Sequence, residues 1–225
     1  MHIGLIGGIG PAATDLYYRG LVAAVPSGAL ELTVAHADAP TLVARLMASD
    51  EDAQADTFAA LTERLAAAGA EAVAVTSIGG HFCIEPFKAR SKLPVLDLLT
   101  SVSDRLARDQ RRVVGVIGTG AAMTSGLYGR LGAVETLAPE GAMLHSVHKA
   151  YLDMAFAMTA SDDQRRIFHE AGASLVARGA EAVLLGGTDL FLAFDDQGGV
   201  DAPGFDVVDC ARIHIEDIAA AAVSG

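Results

Sequence analysis

Short apolar runs rich in Val, Ile and Leu recur along the chain and alternate with alanine-rich stretches of helical period. The runs predict strands at HIGLIG (2–7), ELTVAHA (31–37), AVAVTS (72–77), LPVLDL (93–98), VVGVIG (113–118), AMLHSV (142–147), AVLLGG (182–187) and DVVDC (206–210). Helices are expected between most of them, among others over 52–68 and 162–178. The runs are continuous rather than alternating. That marks strands covered on both faces, and so a parallel sheet flanked by helices. The acidic run SDEDAQAD (49–56) fits a helix start, where carboxylates favour the positive end of the helix dipole.

The pattern is written twice. IGLIGGIGPAATDLYYRGL from Ile3 matches VGVIGTGAAMTSGLYGRL from Val114 with one gap, and LAAAGAEAVAVTSI from Leu65 matches LVARGAEAVLLGGT from Leu175 without one. LPVLD ending at Asp97 parallels FDVVD ending at Asp209. Three blocks in one order, at offsets of 110 to 112 residues, predict two similar α/β lobes. The first is residues 1–100 plus 211–225, a returning C-terminal helix, and the second is residues 101–210. Halves related by a pseudo-twofold axis would point their strand ends at a shared interlobe cleft, and open parallel sheets bind ligands at such ends. In this register Ser77 and Gly187 are equivalent positions.

Composition narrows the partners. A net charge of −12 argues against nucleic acid and anionic membrane surfaces, both of which need clustered Lys and Arg. No apolar run reaches the roughly 18 residues of a membrane span. The start MHIGLIGGIG lacks a basic region and cleavage site, so no signal peptide is expected and a cytoplasmic location is. The two cysteines, Cys83 and Cys210, do not make a disulfide scaffold in a chain of 225 residues. Abundant glycine and few aromatics suit close helix-on-sheet packing rather than a β-sandwich.

Two motifs have ready alternatives. GGIGPAA satisfies the dinucleotide fingerprint G-x-G-x-x-A through Gly8, Gly10 and Ala13, with Asp38 placed after the second strand. Pro11 inside the turn, and a second glycine turn in the other half, weigh against that reading. His145 and His148 form H-x-x-H near Asp153, but no further ligands stand at metal-site spacing, so no metal is expected.

GLIGGIGPAATDLYY resembles the opening of the aspartate/glutamate racemase family, G-G-M-G-P-x-A-T-x-x-Y-Y. GTGAAMTSGLYGRL is similar to its G-T-x-x-T-x-x-x-x-Y block, GAEAVLLGGTDL to its G-A-D-x-x-x-L-G-C-T-E-[LI], and VVDCARIH to its terminal D-T-T-x-x-H. The resemblance implies a cofactor-independent enzyme of two α/β halves, usually a homodimer, acting on a small carboxylate or amino acid. It also implies one cysteine per half, a thiolate removing the α-proton from one face while a thiol protonates the other. Here the first cysteine position is Ser77, in SIGGH, and the second is Gly187, in GGTD. A hydroxyl is a far weaker base than a thiol, and glycine has no side chain, so two-thiol racemisation through these positions cannot operate.

Candidate site residues follow from the same alignment of motifs. Ser77 either relays a proton with His81 as its activating base or caps the following helix, and His81 otherwise holds the loop. Cys83 falls in the expected first helical turn, where a depressed thiol pKa would make it a relocated nucleophile. Cys210 follows a strand end in the other half. For each cysteine the alternative is a small buried apolar residue. The resemblance places Thr119, Thr124 and Thr188 on the substrate carboxylate, together with backbone N–H groups. It keeps Gly7, Gly8 and Gly10 close to the ligand, and it pairs Arg45, in the loop region after HADAPT, with a side-chain carboxylate. The function expected is an isomerase with a non-standard acid–base set. The alternatives are a one-sided decarboxylase or lyase on a related acid, and a non-catalytic carboxylate-binding protein.

Overall fold

The computed structural model describes residues 1–195 and 203–224; position 225 of the expected 211–225 segment lies outside them. The chain divides into two units, Met1–Leu98 with Ala211–Gly225 and Leu99–Cys210. Unit 1 runs β1 (His2–Gly7), α1 (Pro11–Ala24), β2 (Glu31–His36), α2 (Ala39–Ala48), α3 (Glu51–Ala67) and β3 (Ala72–Val75). A 3-10 turn (Ile78–Cys83), α4 (Ile84–Arg90) and β4 (Val95–Leu96) follow. Unit 2 runs α5 (Leu98–Arg108), β5 (Val113–Gly118), α6 (Gly120–Thr124), β6 (Glu135–Leu137), α7 (Gly141–Ala157) and α8 (Asp162–Ala177). It ends with β7 (Ala182–Gly186), α9 (Phe191–Phe194) and β8 (Val207–Asp209), after which α10 (Cys210–Ser224) returns to unit 1.

The helices begin where short polar side chains can hold their free N–H groups. Asp50 accepts the Ala53 N–H at 3.1 Å, and Glu51 and Asp52 occupy the first turn of α3. Ser161 and Gln164 form a reciprocal capping box at α8. The acidic run and both expected helices thus mark α3 and α8.

Each unit holds one four-stranded sheet, ordered β2-β1-β3-β4 in unit 1 and β6-β5-β7-β8 in unit 2, with every pairing parallel. The repeat reaches the level of single contacts. A Cβ added to Gly4 would stand 3.0 Å from Leu65 Cδ1, and one added to Gly115 would stand 2.8 Å from Leu175 Cβ. The same glycine-on-leucine contact therefore lets α3 lie on β1 and α8 on β5. The other side of the unit 1 sheet is covered by α10 and α1, where Ile215 and Ile218 bury against Ile3, Leu5 and Leu21. Among the described residues no helix is long and apolar enough to cross a membrane.

One predicted strand is corrected. AMLHSV (142–147) lies inside α7, and the strand of that region is β6, only three residues long. Val147, Ala150, Tyr151 and Met154 form the buried stripe of α7, spaced as a helix requires. β6 is an edge strand with exposed and half-buried positions, so it carries no apolar run.

Candidate functional site

In unit 1 the turn after β1 is built around Thr14 of α1. Gly8, at φ +97°, donates its N–H to Thr14 Oγ1 at 2.9 Å, and that hydroxyl donates to the Gly10 carbonyl at 3.1 Å. Thr14 Oγ1 also lies 3.2 Å from Thr76 Oγ1, which ties the turn to the end of β3. Gly7, Gly8 and Gly10 thus share one tight turn at the carboxyl end of the sheet. A Cβ on Gly8 would stand 2.2 Å from His36 Nδ1, so a side chain there would force the imidazole aside. Asp38 caps α2, taking both the backbone N–H and the hydroxyl of Thr41, and these bonds hold its carboxyl below the usual range. Arg45 lies in the last turn of α2 rather than in a loop, and its Nη1 donates to Gln54 and Thr57 of α3.

Ser77 stands at the cap position of the 3-10 turn, but its hydroxyl makes no capping bond. His81 Nδ1 lies 2.8 Å from the Ser77 carbonyl oxygen, which can only accept, so the ring donates there. The imidazole is bound to the main chain of Ser77 and not to its hydroxyl. Its Nε2 faces Asp97 Oδ1 at 4.0 Å, and Lys88 pairs with the other Asp97 oxygen.

Behind this group lies fully buried His214 of α10. Its Nε2 must donate to the Leu96 carbonyl at 2.9 Å, which leaves Nδ1 to accept from the Tyr17 hydroxyl at 2.9 Å. Burial first, and the nearby charge of His81 second, hold its pKa down to about 3, so the ring is neutral at physiological pH. The His81 and His214 rings meet edge-on, 6.3 Å apart.

Cys83 does not have the depressed pKa expected of a thiol at a helix start. It is fully buried, its thiol donates to the Gly80 carbonyl at 3.4 Å, and burial pushes it up to about 12. Desolvation of the thiolate outweighs what a short helix end can offer. Cys210, at the start of α10, is also buried.

In unit 2 Thr119 caps α6, its Oγ1 accepting the Ala122 N–H at 3.2 Å. The Gly120 N–H is taken by His148 Nδ1 at 3.0 Å, and Thr124 Oγ1 donates back to the Gly120 carbonyl at 2.8 Å. The Thr119 hydroxyl keeps its proton free to donate. His145 bonds the Gly141 carbonyl, and among the described residues no group of three potential ligands could hold a metal.

At the end of β7 the chain reads Gly187, Thr188, Asp189. The ring of Tyr151 from α7 packs against Gly187, and its hydroxyl donates to Asp189 Oδ2 at 3.3 Å. Burial, then the charge of Asp189, raise the phenol pKa well above its ordinary value. Thr188 is fully buried, and its hydroxyl has no hydrogen-bond partner among the described residues.

Sequence reasoning did not single out Tyr17, Lys88, Tyr151, Asp189 or His214 as site residues. Tyr17, Asp189 and His214 did lie inside the quoted motifs GLIGGIGPAATDLYY, GGTD and VVDCARIH. Tyr151 lay in no motif, and its only signal is its place on the buried stripe of α7.

Solved structures share this architecture. A candidate Asp/Glu racemase from Yersinia pestis matches with a TM-score of 0.84 over 99% of both chains at 23% identity. An aspartate racemase homologue from Pyrococcus horikoshii OT3 matches at 0.77 over 98% of both chains and 21% identity. A glutamate racemase from Francisella tularensis, solved with D-glutamate, matches at 0.66 over 97% of this chain and 79% of its own, at 15% identity. At such identities the likeness carries the fold alone. No curated protein matches the sequence. The family model described as Asp/Glu/Hydantoin racemase matches residues 6–218, and the chain belongs to that family.

Proposed function

We propose that this chain is a racemase-like isomerase acting on a small carboxylate or acidic amino acid, without a cofactor and without a thiol pair. Family membership supports the reaction class. The departure in mechanism is carried by one observation: β3 leads into Ser77 and β7 into Gly187, where the family resemblance places cysteines. Moving a proton at an α-carbon needs an acid or base on each face, so other groups must take over. Thr188 is a strong candidate to bind the substrate carboxylate, because its buried hydroxyl has an unmet hydrogen bond. Thr119 can add its free proton, and the turn of Gly7, Gly8 and Gly10 brings the chain close to the ligand. Arg45 joins through the N–H groups that its contacts with α3 leave over, and Thr124, whose one proton goes to the Gly120 carbonyl, joins as an acceptor for a substrate ammonium. The reading carries with it a cytoplasmic location and a homodimer, and light scattering would check the second.

The test is α-deuterium incorporation into both enantiomers of aspartate and glutamate, and into a panel of small carboxylic acids, in deuterated water. Exchange followed by loss of optical purity supports the isomerase; no exchange across the panel overturns it. A second reading, one-sided decarboxylation or elimination, is favoured by the chemical difference between the two strand ends. It would release carbon dioxide or ammonia without interconverting enantiomers.

A further inference from the structure

Position 187 has no side chain, and another residue uses its space. A Cβ added to Gly187 would stand 2.2 Å from Tyr151 Cε2, 2.8 Å from Cζ and 3.0 Å from Cδ2, a set of contacts that a real side chain could not make. Cζ carries the hydroxyl, so the phenolic oxygen lies one bond beyond this contact. The ring is held from behind by its place on the buried stripe of α7. In front, the hydroxyl donates to Asp189 Oδ2 at 3.3 Å, and both residues are buried. Thr188, between 187 and 189, adds a fully buried hydroxyl without a partner among the described residues. Buried hydroxyls nearly always find one, so this group is open to a ligand.

We propose that the Tyr151 hydroxyl, oriented by Asp189, is the proton-transfer group of unit 2. It stands in for the thiol that the family resemblance places at residue 187, with the Thr188 hydroxyl beside it contacting the substrate. The assignment rests on the isomerase reading above. In the step, the hydroxyl turns its one proton away from Asp189 Oδ2 toward the substrate, and the phenolic O–H bond breaks as a C–H bond forms at the α-carbon of the substrate carbanion. The phenolate left behind either takes the α-proton back from the enantiomer just formed, which is the reverse step, or recovers a proton from water and releases hydroxide to the medium. Burial and the Asp189 charge keep the phenol protonated at neutral pH, the form that a donor needs. A carbanion is a far stronger base than a phenolate, so even a weakly acidic phenol can deliver the proton.

The decisive variant is Tyr151→Phe, which keeps the ring in the space of residue 187 and removes only the hydroxyl. α-Deuterium incorporation should fall by ~100-fold or more while the melting temperature is retained. Asp189→Asn removes the neighbouring charge, so the phenol ionises more easily and the alkaline limb of the pH–rate profile moves to lower pH. If Tyr151→Phe fails to fold, that shift decides the matter. Exchange by Tyr151→Phe within about twofold of the wild type, or an unmoved alkaline limb in Asp189→Asn, overturns the assignment and leaves the isomerase reading standing. A wild type that exchanges nothing overturns both, and the two failures are thereby distinguishable.

Discussion

Mild acid is expected to loosen unit 1 through a single residue, His214. The ring is fully buried between the Tyr17 hydroxyl and the Leu96 carbonyl, with His81 and Asp97 the titratable groups facing it. Burial and His81 oppose its charging; the Leu96 bond and Asp97 favour charging but are the smaller effects, and its folded pKa is about 3 against an ordinary 6.5. Between those values the unfolded chain binds a proton that the folded chain refuses. The stability contributed is therefore complete above about pH 6.5 and lost progressively as pH falls toward 3. From pH 7 to pH 5 the loss is about 2 kcal/mol, since each pH unit inside the window is worth roughly 1.4 kcal/mol. Because the chain has two units, the suitable readout is local: hydrogen exchange of the α10 amides, corrected for intrinsic rates. Protection in the wild type should drop by about 30-fold over that interval, beyond any drop in His214→Gln. Equal drops in the two proteins would refute the reasoning, because the carboxylates common to both would then account for the whole effect.

Two further outcomes follow from packing. Gly187→Ala drives a methyl group into the Tyr151 ring and should cost about 1–3 kcal/mol, read as a lower melting temperature. Adding Tyr151→Ala should relieve the clash, so strictly additive losses would show that the ring does not hold that space. Cys83, with its buried thiol pushed up to about 12, should resist iodoacetamide at pH 8 in the native protein and react once it is unfolded. Rapid native labelling of the Cys83 peptide, separated from that of Cys210 by mass spectrometry, would contradict this.

The strands that line the chemistry were legible because they are buried on both faces and so are written as unbroken apolar runs. The duplicated order was legible because Gly4 with Leu65 and Gly115 with Leu175 make one contact twice, at a constant offset. β6 was not, since an edge strand of three residues has little apolar surface to bury, and the nearby run belongs to α7. Site chemistry was less legible than the fold. Spacing left two roles open for His81, base to the Ser77 hydroxyl or holder of the loop, and the ring reaches the main-chain carbonyl of Ser77 as the second has it. Tyr151 reaches Asp189 across 38 residues of chain, and His214 reaches Tyr17 across 197. Such pairings are made by tertiary packing, so even where a motif contains the residue, no local pattern names its partner.

The route of the chain also sets an order of assembly. Unit 2 is one continuous segment, Leu99–Cys210, whereas unit 1 needs α10, which follows it. A ribosome therefore releases all of unit 2 before the helix that covers one side of the first sheet. During that interval Ile3, Leu5 and Leu21 lack the cover of Ile215 and Ile218, and Tyr17 lacks His214. Of the two units, the one whose first strands are made earlier is thus the later to be finished, and its uncovered apolar face is where a chaperone would be needed.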